Sequence, residues 1–244
     1  MEKYKNSKIF LAGHNGLVGS AIYNKLKSKG YKRIIVKNRK ELDLKNSVKV
    51  LNFLKKNNPD YIIIAAAKVG GIKANNDLSG QFIFENLCIQ NNLIDGAYKI
   101  GVKKLIFLGS SCIYPRLSKQ PIKEKYLLDG PLEKTNEAYS IAKIAGVKMC
   151  EYYNKQYSTN FLSLMPCNTF GKNDNYDLSS SHFLPALINK LYQSKIKNKK
   201  FVELWGNGKT LREVIYVEDI ANAVIHFLFT KTKHNLINIG TEKE

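Results

Sequence analysis

The sequence of 244 residues contains little arginine for so basic a chain. A net charge of +19 is carried almost entirely by lysine, since the arginines are only Arg33, Arg39, Arg116 and Arg212. Base recognition and bidentate phosphate contacts favour arginine, and the lysines are scattered without a recognition motif. We therefore expect no nucleic-acid partner, although part of the charge can attract anionic small molecules.

Long apolar runs and paired cysteines are also missing. No stretch approaches 18 consecutive apolar residues, which argues against a membrane span, and the N-terminus lacks the apolar core of a signal peptide. The cysteines at positions 88, 112, 150 and 167 show no C-x-x-C or zinc spacing, which is typical of a reducing compartment. These absences predict a cytoplasmic protein without membrane association or a bound metal.

Apolar, β-branched runs alternate with amphipathic stretches up to residue 165. The runs are typical of strands buried on both faces of a parallel sheet, and they lie at 8–12, 33–36, 61–65, 104–108 and 161–165. The stretches between them are long enough for crossover helices, and they lie at 17–28, 47–56, 82–99 and 137–157. This order predicts an α/β fold with a Rossmann-type doubly wound parallel sheet.

The pattern is looser beyond residue 170. A polar loop at 173–181 leads to a helix near 182–193 and a short strand before Trp205. A helix at 217–229 and a strand at 236–239 follow. We predict a first domain at 1–169 and a smaller portion at 170–244, with residues 215–240 packing back on the first domain.

The first predicted strand runs into a G-x-x-G-x-x-G turn that opens a helix, with the sequence Gly13-His14-Asn15-Gly16-Leu17-Val18-Gly19. Glycines permit the tight turn and let backbone N–H groups approach a pyrophosphate at the helix N-terminus. Any strand-to-helix turn favours glycine, so the motif alone is a weak signal. Its position between a strand and a helix near the N-terminus makes dinucleotide binding the better interpretation.

The end of the second predicted strand carries Lys37-Asn38-Arg39, where an NAD-binding enzyme would have a carboxylate on the adenosine ribose. A carboxylate would repel a 2′-phosphate, whereas a guanidinium can bind it bidentately. Arg39 therefore indicates NADP(H). The alternative is that Arg39 is a solvated loop charge.

The third predicted strand ends in small residues, at 65–71, with the sequence Ala-Ala-Ala-Lys-Val-Gly-Gly. Small side chains let the backbone pass close beneath a cofactor. Tight packing between helix and sheet would demand the same residues, so both interpretations stay open.

Tyr139 and Lys143 form a Y-x-x-x-K pair, which shares one face of a helix. An ammonium at this distance favours the phenolate, so we expect Lys143 to lower the pKa of Tyr139 and make it a proton donor and acceptor near neutral pH. The spacing is common in a lysine-rich chain, and Tyr23 and Lys27 match it as a surface pair. Ser110, at the end of the preceding strand, distinguishes Tyr139, because ligands of open α/β sheets bind at that edge.

Five segments together resemble the GDP-L-fucose synthases of the extended short-chain dehydrogenase/reductase family: 13–19, 65–71, 109–115, 139–143 and 181–182. The glycine turn and the Tyr/Lys pair are shared by the whole superfamily. Far more specific are residues 65–71 and Gly109-Ser-Ser-Cys-Ile-Tyr-Pro115. The resemblance covers essentially the whole chain and implies NADPH-dependent conversion of GDP-4-keto-6-deoxy-D-mannose to GDP-L-fucose.

The resemblance also implies roles for individual residues. Tyr139 would donate the proton at C4, Lys143 would bind the nicotinamide ribose and Ser110 would hold the C4 oxygen. Cys112 and His182 would be the base and acid that invert C3 and C5. Cofactor contacts are implied for Gly13, His14, Asn15, Gly16, Leu17, Val18, Gly19, Arg39, Leu108, Gly109, Ser110, Ser111, Lys143, Pro166, Cys167, Asn168, Thr169 and His182. Substrate contacts are implied for Lys190, Trp205 and Arg212.

Departures from the family pattern accompany this resemblance. Asn15 stands where the family often has an arginine near the adenosine phosphate, and Lys190 stands where it commonly has another. Family members continue beyond the position of Glu244, so we expect an incomplete substrate domain, and with it weak GDP-sugar binding or marginal folding. Family members are commonly dimers, and we carry a homodimer over to this chain.

Two other kinds of protein share some of these features. A nucleotide-sugar 4-epimerase or 4,6-dehydratase has the same fold, but a dehydratase needs an acid pair beside the catalytic Ser/Thr, where this chain has Ser111-Cys112. A 4-epimerase would favour an acid near position 37. A non-catalytic NADP-binding protein would have no reason to keep Ser110, Tyr139 and Lys143 together.

Overall fold

The structure is a computed structural model that describes residues 2–178, 180–204 and 206–241. Its strands are β1 (Lys8–Ala12), β2 (Arg33–Ile35), β3 (Tyr61–Ile64), β4 (Lys104–Leu108), β5 (Phe161–Pro166), β6 (Asn168–Phe170), β7 (Val214–Tyr216) and β8 (Leu236–Ile239). Its α-helices are α1 (Leu17–Ser28), α2 (Ser47–Asn57), α3 (Ile72–Asp77), α4 (Ser79–Lys99), α5 (Glu137–Tyr157), α6 (Phe183–Ile196) and α7 (Val217–Phe229).

Six strands form one parallel sheet in the order β2-β1-β3-β4-β5-β8. The chain first moves from β1 to the edge strand β2 and then returns to the other side of β1 with β3. The order therefore reverses between β1 and β3, and a crevice opens outside the carboxyl ends of the strands at such a point. This is the Rossmann-type doubly wound sheet that the alternating pattern predicts.

The strands are buried on both faces, as their continuous apolar runs predict. Alternate residues of β1 point to opposite sides: Ile9 and Leu11 pack with α1 and α7, whereas Phe10 and Ala12 pack with α2, α4 and α5. Helices thus cover both faces of the sheet. Burial of these apolar surfaces is the main stabilising contribution to this half of the molecule.

The C-terminal elements return to the same sheet. Helix α7 packs beside α1, and β8 pairs with β5 at the edge, with Ser163 opposite Leu236. A second sheet consists of β6 and β7, which pair in parallel with Asn168 opposite Val214. Among the described residues, no helix is long and apolar enough to cross a bilayer.

The sequence interpretation was wrong about one element. Residues 201–204 form no strand, although the sequence interpretation predicts a short one before Trp205. An isolated strand has no partner for its backbone hydrogen bonds and is not stable by itself. Helix α3 and strands β6 and β7 were not predicted, since each is too short to show a period.

Candidate active site

The glycine turn lies at the carboxyl end of β1, against the end of β3. Gly13 has a φ of +91°, and a Cβ there would come within 2.5 Å of the Ala66 backbone nitrogen. A Cβ on Gly19 would overlap the Gly13 carbonyl oxygen. Gly16 is the N-cap of α1 and provides no side-chain hydrogen bond to the helix. The first N–H groups of α1 are therefore free of a side-chain cap, as phosphate binding at a helix N-terminus requires.

Gly19→Ala is expected to destabilise the protein by about 1–3 kcal/mol or more, because the added methyl group overlaps backbone that cannot rotate away. The measurement is the free energy of unfolding from denaturant titration. Gly80→Ala is the matched control, since a Cβ at Gly80 in α4 meets no atom within 4 Å. A Gly19→Ala protein as stable as Gly80→Ala would show that the turn tolerates a side chain.

Tyr139 and Lys143 lie on the first two turns of α5, beside the loop that follows β4. The Lys143 Nζ donates to the Leu108 carbonyl at 2.7 Å and lies 5.7 Å from the centre of the Tyr139 ring. The Ser140 hydroxyl donates to the Cys112 carbonyl at 2.9 Å and so ties α5 to that loop. The structure therefore brings Ser110, Tyr139 and Lys143 together at the carboxyl edge of β4.

Burial governs the protonation of this pair. It raises the pKa of Tyr139, with a smaller effect from the negative charge of a Cys112 thiolate, and it lowers the pKa of Lys143 to about 8. The expectation that Lys143 lowers the pKa of Tyr139 is therefore wrong for this structure. The ammonium is directed to the Leu108 carbonyl, and removal from water opposes the phenolate more strongly. Tyr139 is consequently held as a neutral phenol, the form that donates a proton.

Cys112 lies within the same cluster. Burial raises the pKa of its thiol, while hydrogen bonds from the side chains of Ser110 and Ser140 and the positive charge of Lys143 act in the opposite direction. The Ser110 hydroxyl also accepts from the Cys112 backbone N–H at 3.5 Å. A thiol is thus placed directly beside the hydroxyl groups predicted to hold the C4 oxygen.

His182 is the N-cap residue of α6, and the loop that precedes it contacts Gly71 at the end of residues 65–71. Its side chain is accessible, yet the surrounding protein lowers its pKa below the ordinary 6.5, and the Asp174 carboxylate opposes this shift. Together with the raised pKa of Cys112, this favours a neutral thiol and a neutral imidazole. In the sequence interpretation Cys112 acts as the base and His182 as the acid, which requires a thiolate and an imidazolium. That pair differs from the neutral pair by one proton, which is on the imidazole instead of the thiol.

Buried asparagines hold residues 65–71, and no motif in the sequence pointed to them. The Asn86 amide donates to the Lys68 carbonyl at 3.0 Å and accepts from the Lys68 N–H at 2.8 Å. The Gly71 N–H donates to the Ser180 carbonyl at 2.8 Å, and a Cβ on Gly71 would overlap the Ser181 carbonyl oxygen. Gly71 therefore contacts the loop at Ser180 and Ser181, and not a helix packed on the sheet. A close approach of this segment to a cofactor stays a prediction.

Arg39 lies in the loop after β2, where the motif places it. Its side chain is 70% exposed, and its guanidinium is 3.5 Å from the Glu85 carboxylate. Strand β2 pairs with β1 in parallel, and the glycine turn follows β1. The loop after β2 therefore lies beside the glycine turn. A contact from Arg39 to a 2′-phosphate remains a prediction.

The residues expected at the nicotinamide connect β5 to β6. Pro166 ends β5, and the Cys167 N–H donates to the Ile239 carbonyl at 3.0 Å. Burial raises the pKa of Cys167 to about 11, so it is a thiol at neutral pH. The Asn168 amide donates to the Glu213 carbonyl at 2.9 Å, and the Thr169 hydroxyl to the Cys167 carbonyl at 3.2 Å.

The residues expected to bind the GDP-sugar lie beyond β6. The Lys190 ammonium donates to the Glu203 carbonyl at 3.3 Å, and the Arg212 guanidinium to the Leu211 carbonyl at 3.2 Å. Trp205 lies outside the described residues. Neither hydrogen bond connects Lys190 or Arg212 to Tyr139, so their contact with a GDP-sugar stays a prediction.

Comparison with known proteins identifies the family. The model of the NAD dependent epimerase/dehydratase family matches residues 9–240. The chain belongs to this family. A curated GDP-L-fucose synthase from Sinorhizobium fredii is 49% identical over 239 residues, which span 97% of this chain and 75% of the relative.

Solved members of the family have the same fold. A GDP-6-OMe-4-keto-L-xylo-heptose reductase from Campylobacter jejuni superimposes with a TM-score of 0.90 at 37% identity, over 97% of this chain and 79% of that one. A GDP-L-fucose synthetase from Naegleria fowleri bound to NADP superimposes with a TM-score of 0.88 at 30% identity, over 98% and 78%. These comparisons confirm the resemblance and the Rossmann-type fold that the sequence predicts.

Proposed function

We propose that this protein converts GDP-4-keto-6-deoxy-D-mannose to GDP-L-fucose, by inversion at C3 and C5 followed by NADPH-dependent reduction of the C4 ketone. The single observation that supports it best is the cluster at the carboxyl edge of β4. There a buried ammonium, a neutral phenol, a serine hydroxyl and a thiol lie on one loop and on the first two turns of α5. The curated GDP-L-fucose synthase relatives support the choice of substrate.

The cofactor proposed is NADP(H), and the glycine turn fits it. Gly13 and Gly19 allow the close backbone contacts that form the tight turn, and α1 presents its N-terminus there. Residues 13–19 would hold the pyrophosphate, Arg39 the 2′-phosphate, and Lys143 with residues 166–169 the nicotinamide half. When bound, NADPH supplies the hydride for C4.

Epimerisation uses the acidity that the C4 ketone confers on the hydrogens of C3 and C5. Removal of either proton gives an enolate, which hydrogen bonds from Ser110 and Tyr139 to O4 stabilise. Cys112 and His182 exchange the proton on opposite faces of the sugar. In the reduction, Tyr139 gives its proton to O4.

The proposed activity is tested by incubation with GDP-4-keto-6-deoxy-D-mannose in heavy water. We expect deuterium at C3 and C5 without NADPH, and NADPH oxidation with formation of GDP-L-fucose when it is added. NADPH oxidation without exchange would instead indicate a C4 reductase, the activity named for the Campylobacter jejuni structure. If the protein catalysed neither deuterium exchange nor NADPH oxidation, the proposal would be refuted.

The rate of exchange is expected to depend on pH through Cys112 and His182. Because His182 has a lowered pKa and Cys112 a raised one, the active range should begin below pH 6.5 and extend above the ordinary pKa of a thiol. Asp174→Asn removes the carboxylate that raises the pKa of His182 and should move the acidic limb to lower pH. Asp129→Asn is the control, since Asp129 is not among the groups that shift the pKa of His182. An acidic limb that stays in place would show that Asp174 does not affect the pKa of His182.

We also propose a homodimer and a cytoplasmic location. Helices α4 and α5 pack side by side and leave large apolar side chains in water, among them Phe84 and Tyr152 at 63% and 57% exposure. Ile141 lies on the same face of α5 as Tyr152, because 11 residues make about three turns. The unpaired cysteines agree with a reducing compartment.

Tyr152→Glu is expected to convert the dimer to a monomer, because it places a charge in a surface that association would bury. Light scattering coupled to size exclusion measures the mass. Leu117→Glu is the control, since Leu117 is 88% exposed in a loop away from both helices. A wild-type monomer, or a Tyr152→Glu dimer, would contradict this interface.

A further inference from the structure

The loop that carries His182 is seated on the end of residues 65–71. The Gly71 N–H donates to the Ser180 carbonyl at 2.8 Å. The Ser181 carbonyl lies so close to Gly71 that a Cβ there would overlap it. His182 is the next residue, so its position relative to Cys112 depends on this junction.

The loop itself is held together by its own hydrogen bonds. The N–H groups of Ser180 and Ser181 donate to the Asp177 carbonyl at 3.2 and 2.8 Å. The Ser180 hydroxyl donates to the Asp177 carboxylate at 3.0 Å and accepts from the Asn175 amide at 2.9 Å. The loop is therefore braced as a unit, and a shift at Gly71 would be transmitted to His182.

Asn75, on α3, holds the other side of the junction. Its side-chain nitrogen donates to the Gly70 carbonyl at 2.6 Å and to the Gly71 carbonyl at 3.1 Å. The residue is only 8% exposed, and its Oδ1 has no hydrogen-bond partner among the described residues. Burial of an amide oxygen without a hydrogen-bond partner costs free energy. The hydrogen bonds from the side-chain nitrogen to the two glycine carbonyls explain why a polar side chain is nevertheless present at this position.

We propose that Asn75 is a positioning residue for epimerisation, which fixes the Gly70–Gly71 backbone and through it the loop that presents His182. The inference rests on the proposed function. Asn75 makes no contact with Ser110, Tyr139 or Lys143 among its described hydrogen bonds. Its loss should therefore slow the steps that use His182 and leave the C4 reduction chemistry in place.

The test is Asn75→Asp, which keeps the shape of the side chain and removes both N–H donors. We expect deuterium exchange at C3 and C5 to fall about 10- to 100-fold, as for a displaced catalytic group. NADPH affinity should be unchanged, and the C4 alcohol that retains the starting configuration at C3 and C5 should form a larger share of the product. Asn76→Asp, the exposed neighbour on α3, is the matched control.

Gly71→Ala provides a second, independent variant, because it displaces the Ser181 carbonyl without altering Asn75. It should reproduce the selective loss of exchange. A wild-type rate of deuterium exchange in Asn75→Asp would overturn the inference. A parallel loss of NADPH binding, exchange and reduction would also overturn it, because that is the effect expected of a residue with only a structural role. Wild-type protein without exchange would refute the proposed function instead, so the two failures are distinguishable.

Discussion

Tyr139→Phe is expected to slow C4 reduction by about 10²- to 10⁴-fold, the range for loss of a positioned general acid. The phenol is the group that gives a proton to the alkoxide, and its raised pKa keeps that proton in place at neutral pH. Exchange at C3 and C5 should fall less, since Ser110 still holds O4. Reduction is followed by NADPH absorbance under single-turnover conditions, and exchange by deuterium content.

Tyr23→Phe is the matched control for this variant. Tyr23 belongs to the other Y-x-x-x-K pair, on α1, where the Lys27 ammonium lies 5.4 Å from its ring centre. The two substitutions remove the same hydroxyl from the same spacing, and only Tyr139 lies at the carboxyl edge of β4. Equal activity of the two variants would remove Tyr139 from the proposed mechanism.

Cys112→Ser is expected to reduce deuterium exchange at C3 and C5 by about 10²- to 10⁴-fold. A hydroxyl has nearly the size of a thiol, but its pKa is far too high for it to carry the proton at neutral pH. NADPH affinity should be retained, because the backbone of this loop stays tied to Ser140. The product should include C4 alcohol with unchanged C3 and C5.

Cys88→Ser tests whether any cysteine substitution has this effect. Cys88 lies on α4, outside the cluster around Lys143, and is also unpaired. We expect wild-type exchange from it. If Cys112→Ser exchanged deuterium at the wild-type rate, the thiol would have no part in epimerisation, and another base would have to be found.

Several elements with a clear period were predictable to the residue, although α4 begins three residues before the predicted 82. The bounds of β1, α1 and α5 agree with the sequence pattern, because each buries a continuous run or one helical face. Strands β6 and β7 have three residues each and form only because they pair across a long segment of chain. Such pairing leaves no local signal.

The candidate site also has a part that the sequence predicts and a part that it does not. Motif spacing brought Ser110, Tyr139 and Lys143 to one sheet edge correctly. It did not predict that burial dominates the pKa of Tyr139, since burial depends on the packing of β4, α5 and the intervening loop. Asn75 and Asn86 were missed because their partners are backbone carbonyls, which every residue type provides.

The pairing of β6 with β7 has a consequence for how members of this family diverge. Strands β6 and β7 pair with each other in the second sheet, and the chain makes an excursion between them at 171–213 before α7 and β8 resume the doubly wound pattern. Insertions, deletions or grafts inside that excursion leave the register of the six-stranded sheet untouched. A change of sugar specificity that is confined to this segment would therefore leave the glycine turn and the cluster at β4 in place.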